Sequence, residues 1–351
     1  MGIRVLFDIF HPADVHFFKN AIKTFVGRGD EVMVTSRDKD IALELLSQLG
    51  IKNRKISKKG NGPVGLLLEL ARRDFTLLKI ARRFKPTIYI GNNSPNAAHV
   101  AWYMRCPSII FEDTEIHRFN HRVYYPFVSE IHSPDCYRLK LGLKHKIYPG
   151  YHALAYLHPN HFIPDLDIAK RYIKYSEKKT VLIRFVDWGS IHDMGIAKLS
   201  NKDKINIVKK IEEHALVLIS SEAKLPTELE PKRISVFGDD IHQIICHADL
   251  VVGDSATMCS EAALLGTPSI YIDERGRGYT DELDEKYGLC FNFKPNQMEA
   301  VHSKSIELLA LENTRDYFKN NHMRMISDKI DVSTYQIEQI DRLAVKYSKS
   351  I

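Results

Sequence analysis

The segment Asp249 to Asp273, DLVVGDSATMCSEAALLGTPSIYID, carries the densest chemical signal in the chain. Leu250–Val252 reads as a buried strand, Gly253 as a tight turn and Asp254-Ser255-Ala256-Thr257 as a helix start. The helix ends near Gly266, and Pro268 leads into a second apolar strand. The unsatisfied N–H groups of a first helical turn, with the positive end of the helix dipole, suit an anion such as a phosphate. Glu261 falls further along the same helix, where a carboxylate can meet a ribose hydroxyl pair. An ordinary capped helix with a solvated glutamate uses the same residues, so the pattern alone leaves both readings open.

Other loops that follow apolar runs also hold reactive groups. In FDIFHPADVHFFK, Asp8 ends a strand, and His11, Pro12, Asp14 and His16 fill the loop and first helical turn. His11 is the expected proton-transfer base. Asp14 and His16 are candidates for acceptor or sugar contact, with helix capping and packing as their structural alternatives. In YIGNNSPNAAHVAW, Asn92, Asn93 and Ser94 either bind sugar hydroxyls or cap the next helix. In IIFEDTEIHRFNHR, Glu112, Asp113, Glu115, His117, Arg118 and His121 crowd one loop, and Glu112 or Asp113 is a second candidate base or sugar-orienting group. VLIRFVDWGSIHDMG puts Arg184 at a strand end, where a guanidinium can neutralise a diphosphate, followed by Asp187, Trp188, Ser190 and His192. SVFGDDIHQ puts Phe237-Gly238 in a turn suited to a nucleobase edge and His242 in a helix start. None of these spacings matches a zinc motif, and no metal is expected. Asp254, beside the anion turn, is expected to cap the helix.

The elements that must position these loops alternate between strand and helix. Ile3–Ile9, Asp30–Thr35, Thr87–Gly91 and Pro107–Phe111 read as strands. Val15–Gly27, Asp38–Leu49, a basic helix over residues 65–85 and Ala97–Met104 read as helices between them. After a proline-rich crossing at Pro149–Pro164, Ile168–Tyr175 reads as a helix. Thr180–Phe185, Ala215–Ser220, Ile234–Phe237 and Phe291 are expected in strands, with helices at Lys202–His214, His242–Ala248 and Asn296–Leu311. Thr314–Ser350 is expected to be helical. Such alternation implies parallel sheets covered on both faces. The fold class is α/β, two Rossmann-like doubly wound domains: 1–165, 166–330, and a C-terminal helix over 331–351 packing back on the first.

Composition fits a soluble globular chain of 351 residues, 44% hydrophobic and 27% charged. The N-terminus enters a strand at once, so neither a signal peptide nor myristoylation of Gly2 is expected. Five scattered cysteines (Cys106, Cys136, Cys246, Cys259, Cys290) without CxxC spacing read as reduced thiols of a cytoplasmic protein. Residues 1–165 hold 24 Lys+Arg against 15 Asp+Glu, a balance of +9; the remainder holds 26 against 29, or −3. Much of the excess lies on the basic amphipathic helix, GLLLELARRDFTLLKIARRFK. It is either a solvated face or a contact with an anionic membrane surface or acceptor. Nucleic acid is not expected, because no recognition motif accompanies the charge.

The paired domains, GDSATMCSEAALLGTPSIYID, and FDIFHPADVHFFK with GDEVMVTSRD resemble an uncharacterised microbial family of predicted glycosyltransferases. They are more distantly similar to UDP-N-acetylglucosamine 2-epimerase and the GT-B glycosyltransferases. The close resemblance covers nearly the whole chain; the distant one is specific mainly in the C-terminal segment. It implies a GT-B architecture, with the two domains facing across a cleft and a UDP-linked sugar held by the second. By the matching motif, Ser255, Ala256 and Thr257 would hold the diphosphate with Arg184 nearby, Glu261 the ribose, and Phe237-Gly238 the base. The loop at Gly91-Asn92-Asn93 departs from the epimerase, which has an acidic residue there; an amide cannot transfer protons. The expected function is transfer of a hexosyl or N-acetylhexosaminyl group to a glycan or lipid-linked acceptor in surface polysaccharide or glycoconjugate synthesis, without metal or other cofactor, at the inner membrane face. The alternatives are an epimerase using Glu112 with His192 or Arg184, and a non-catalytic nucleotide-sugar-binding protein.

Overall fold

A computed structural model describes residues 2–37, 40–57, 62–173, 178–186, 199–221, 224–236 and 238–348. The expected site residues Asp187, Trp188, Ser190, His192 and Phe237 lie outside this set. The chain divides into two compact units, Met1–His161 with Ile330–Ile351, and Phe162–Lys329.

Unit 1 is built on seven parallel strands: β1 (Arg4–Ile9), β2 (Glu31–Arg37), β3 (Asn53–Ser57), β4 (Ile88–Asn92), β5 (Ser108–Phe111), β6 (Glu130–Pro134) and β7 (His145–Tyr148). Their spatial order is 3-2-1-4-5-6-7. The central strands are buried almost throughout, because helices cover both faces of a parallel sheet. The strand order reverses between β1 and β4, the point where open α/β sheets leave a crevice beyond the strand ends. The helix Pro12–Gly27 buries Val15, Phe17, Phe18, Ala21, Ile22 and Phe25 at helical spacing. The helix Val332–Ser348 also belongs to this unit. Its Tyr335 hydroxyl lies 2.7 Å from His132 Nδ1, Gln336 Nε2 donates to the Phe17 carbonyl, and Arg28 pairs with Asp341.

The basic helix spans Gly62–Phe84. Its inward stripe is Glu69, Arg73, Leu77 and Ala81, spaced four apart. Two of the four are charged, so the buried face holds ion pairs beside the apolar Leu77 and Ala81, while Arg72, Lys79, Arg82 and Arg83 are exposed as expected of a basic amphipathic helix. Glu69 meets Arg37, and Arg73 reaches the buried Asp8 carboxylate at 2.9 and 3.1 Å. Thr35 and Ser94 hydroxyls donate to the same carboxylate, and Arg73 lies over the Phe10 ring.

Unit 2 has five parallel strands: β8 (Lys179–Phe185), β9 (Ala215–Ser221), β10 (Leu250–Gly253), β11 (Ser269–Ile272) and β12 (Cys290–Phe293). Read from β9, the order is 9-8-10-11-12, the other common doubly wound arrangement. The strand expected at Ile234–Phe237 is absent from the described residues. Pro231 sits in a short turn of helix at Glu230–Lys232, and only Arg233 bridges to Ile219. The helix expected at Ile168–Tyr175 is the single turn Leu166–Ala169, started by the Asp165 cap. Two elements carry weak local signals: the edge strand β3, polar and basic as edges tend to be, and the acidic helix Gly278–Glu285.

Candidate functional site

The loops at the carboxyl edge of the unit 1 sheet are tied together by polar contacts. His11 is the N-cap of the helix Pro12–Gly27, its Nδ1 accepting from the Ala13 N–H at 3.3 Å. Asp14 completes a capping box, accepting from the backbone N–H groups of Phe10 and His11 at 2.8 Å each. Asn92 Nδ2 donates to the other Asp14 oxygen at 2.9 Å, which links the β1 and β4 loops across the switch point. Ser94 caps the helix Pro95–Tyr103 by accepting from Ala97 N–H, as one of the two expected readings had it, and Asn93 takes the left-handed conformation before it. His16 packs at 5.4 Å from the Tyr156 ring.

Burial pushes the Asp14 carboxyl up to about 6, against the hydrogen bonds from Asn92, His11 and Phe10 and with added repulsion from Asp113. A folded value above the ordinary 3.8 means that the folded state holds this proton more tightly. The stability it contributes is complete below that ordinary value and is lost as pH rises through about 6. A shift of this size corresponds to about 3 kcal/mol. Asp14→Asn is therefore expected to flatten the unfolding free energy between about pH 4 and 7 by about that amount. Superimposable profiles for the two proteins would contradict it.

Glu112 and Asp113 part company. Glu112 is buried, with Thr114 N–H, the Tyr124 hydroxyl and His121 Nε2 around it at 3.3, 3.2 and 3.1 Å. Tyr137 OH reaches the same His121 nitrogen at 3.1 Å. Burial raises the Glu112 carboxyl and His121 partly offsets this. Such an enclosed carboxyl holds its own loop together. Asp113 is half-buried and lies 3.3 Å from Nδ1 of His152. That histidine follows β7 in a stretch without periodicity, and its sequence signal is only its position after a strand. Its ring stacks on Phe17 at 4.1 Å.

In unit 2, the sheet edge has the turn expected of it. Ser255 caps the helix Ala256–Leu264, accepting from Met258 N–H at 3.3 Å, and Thr257 is exposed in the first turn. Asp254 does not cap. It is buried and accepts from Val186 N–H at 2.8 Å, tying the β8 loop to the β10 turn, while the shorter reach of Ser255 serves the helix. Gly253 pairs in register with Arg184. The Arg184 guanidinium donates to the Ser220 hydroxyl at 2.8 Å, on β9, which flanks β8 on the side opposite the anion turn. Glu261 and His242, separate expectations, are brought together: both are buried, 3.3 Å apart. Gly238 takes a left-handed conformation just before the helix Asp240–His247.

The loop after β11, Asp273–Gly278, adds a group that periodicity does not single out. The buried Asp273 carboxylate accepts from Arg275 N–H at 2.7 Å and lies 3.7 Å from Arg277 Nη1. Its Oδ2 and the Arg275 Nε are buried without a hydrogen-bond partner. β11 adjoins β10, so these groups follow the strand next to the anion turn. Two arginines around one glycine after an apolar run are the signal that was available.

Residues 3–277 match a family model described as a protein of unknown function, DUF354. This chain belongs to the DUF354 family. The DUF354 chain is 24% identical over 287 residues to an uncharacterized protein of Methanocaldococcus jannaschii, covering 77% of this chain and 82% of that one. Among solved structures it resembles the glycosyltransferase SnogD of Streptomyces nogalater, with a TM-score of 0.63 at 14% identity, covering 98% of this chain and 100% of that one. Acinetobacter baumannii MurG gives 0.60 at 12% identity over 97% and 99% of the chains. The UDP-GlcNAc 2-epimerase of Neisseria meningitidis, solved with UDP-GlcNAc bound, gives 0.59 at 12% identity over 93% and 99%. At these identities the likeness is one of fold, and it matches the paired α/β sheets expected from the sequence.

Proposed function

We propose that this DUF354 protein is a glycosyltransferase that moves a sugar from a nucleotide-sugar donor, UDP-linked, to a glycan or lipid-linked acceptor. The observation that carries the reading is the unit 2 edge, where a capped helix start adjoins the buried Glu261–His242 pair and the arginine loop 273–278. The N–H groups of Ala256 and Thr257 would meet the diphosphate, with Arg275 or Arg277 neutralising its charge. Glu261, fixed by His242, would accept from the ribose hydroxyls, and the Gly238 turn would meet the base. Backbone dipole and guanidinium together can stabilise a leaving diphosphate, so a metal is not required by this scheme. Unit 1 would carry the acceptor. The epimerase alternative is less well supported, because its carboxylate Glu112 is enclosed by three partners.

The acceptor side offers one further hint. On the helix Gly62–Phe84, Leu67, Leu68 and Phe75 are exposed beside Arg72, Lys79, Arg82 and Arg83, a composition that suits an anionic bilayer surface. Among the described residues no helix is long and apolar enough to cross a membrane. Absence of sedimentation with phosphatidylglycerol vesicles at low salt would remove the membrane part of the proposal.

Titration calorimetry tests the donor site. UDP is expected to bind, and to bind more tightly than 2′-deoxy-UDP. Glu261→Gln is expected to weaken UDP about tenfold and to erase that preference, about 1.4 kcal/mol. If no nucleotide binds, the enzymatic readings fall together. Release of a C2 epimer from a nucleotide sugar without acceptor would instead favour the epimerase.

A further inference from the structure

His11 and His152 both stand at the carboxyl edge of unit 1, and their hydrogen bonding sets them apart. His11 accepts at Nδ1 from the Ala13 N–H, so its neutral form carries the proton on Nε2. Neither nitrogen of that tautomer is then an open lone pair for a substrate proton. His152 is arranged the other way round. Its Nδ1 faces the Asp113 carboxylate at 3.3 Å, which puts the ring proton there and the lone pair on Nε2. That Nε2 is buried and has no hydrogen-bond partner. The ring is held flat against Phe17, with Phe111 edge-on to it at 6.4 Å and Tyr148 parallel at 6.5 Å. A buried, unpartnered acceptor on an oriented ring is what a carboxylate–imidazole base provides, and a packing histidine would leave a costly orphan.

We propose that His152, oriented by Asp113, is the general base of this protein, taking the place that the sequence suggests for His11. The proposal rests on the glycosyltransferase reading given above. As the acceptor oxygen attacks the anomeric carbon, its proton passes to His152 Nε2. The bond from that carbon to the diphosphate oxygen breaks, and the diphosphate leaves with the electron pair. The imidazolium is held by the Asp113 carboxylate until it returns its proton to solvent. Burial lowers the His152 value below the ordinary 6.5, against the pull of Asp113, so the ring is neutral and able to accept at neutral pH.

Two measurements on the full chain decide it. Nitrogen-15 histidine spectra at pH 7 are expected to show His152, assigned by its loss in His152→Gln, as the neutral Nδ1–H tautomer. Asp113→Asn is expected to shift that tautomer balance. A charged ring, or an Nε2–H tautomer, overturns the proposal whether or not turnover is seen. Donor turnover by His152→Gln is expected to fall at least 100-fold with UDP affinity unchanged, while His11→Gln stays within about threefold of wild type. Equal turnover by wild type and His152→Gln overturns the base assignment and leaves the transferase reading standing. Failure of the wild type to bind UDP overturns that reading instead, and with it this proposal.

Discussion

Arg73→Met is expected to destabilise unit 1 by about 3–5 kcal/mol, the cost of leaving a buried charge without its partner. Asp8 is 0% exposed and Arg73 1%. The guanidinium pairs with the Asp8 carboxylate, whose other partners among the described residues are the Thr35 and Ser94 hydroxyls. Arg73 Nε also donates to Asn96, which continues to Asp74 and then to His99. Losing Arg73 therefore strips a donor from two buried groups at once. Hydrogen exchange of the β1 and β4 peptides is the suitable readout, because a chain of two units need not unfold in one step. Those peptides should exchange much faster in Arg73→Met and hardly change in Arg72→Met, one residue away on the exposed face. The double variant Asp8→Leu/Arg73→Met should recover most of the loss, since the pair is costly mainly when broken on one side. Unchanged exchange in Arg73→Met would show that the pair is not what holds this edge.

Gly253→Ala should be as damaging in unit 2. A Cβ there would sit well inside 3.0 Å of the Arg184 carbonyl oxygen, with the carbonyl carbon and amide nitrogen at 3.0 and 3.1 Å. These are backbone atoms of the paired strand, so no rotamer change relieves the clash. The strands β8 and β10 must separate, at about 3 kcal/mol or more. The separation also displaces the Ser255 cap, so UDP affinity should fall at least tenfold. Gly27→Ala is the contrast. Nothing lies within 4 Å of its Cβ position and it ends a helix. It should be neutral or stabilising by up to about 1 kcal/mol. A fold as stable in Gly253→Ala as in Gly27→Ala, by thermal scan, would refute the close-approach argument.

The alternation of strands and helices was legible because parallel strands, covered on both faces, read as short apolar runs such as VLFDI and LVVG. The turn at Gly253–Ser255 was legible for the same kind of reason: cap chemistry is local. The pairings that decide the site are not local. Asp8 meets Arg73 across 65 positions, and the helical pattern around Arg73 gives no hint that it faces inward. Glu261 and His242 were each visible, but not that they face one another. His152 lies in a stretch without periodicity, and its partner Asp113 is on another strand's loop. Edge strand β3 was hidden by its lysine and arginine, which protect an edge and blur the strand pattern.

The return of the chain to unit 1 at Ile330 has a consequence for biosynthesis. Val332–Ser348 supplies Tyr335 to His132 and Gln336 to the Phe17 carbonyl, and Ile330 N–H donates to the Pro149 carbonyl. All of unit 2 is synthesised before these partners emerge. Unit 1 therefore cannot complete its packing until the last helix is made, so an N-terminal unit that would ordinarily fold first must wait for the whole of unit 2 to be synthesised.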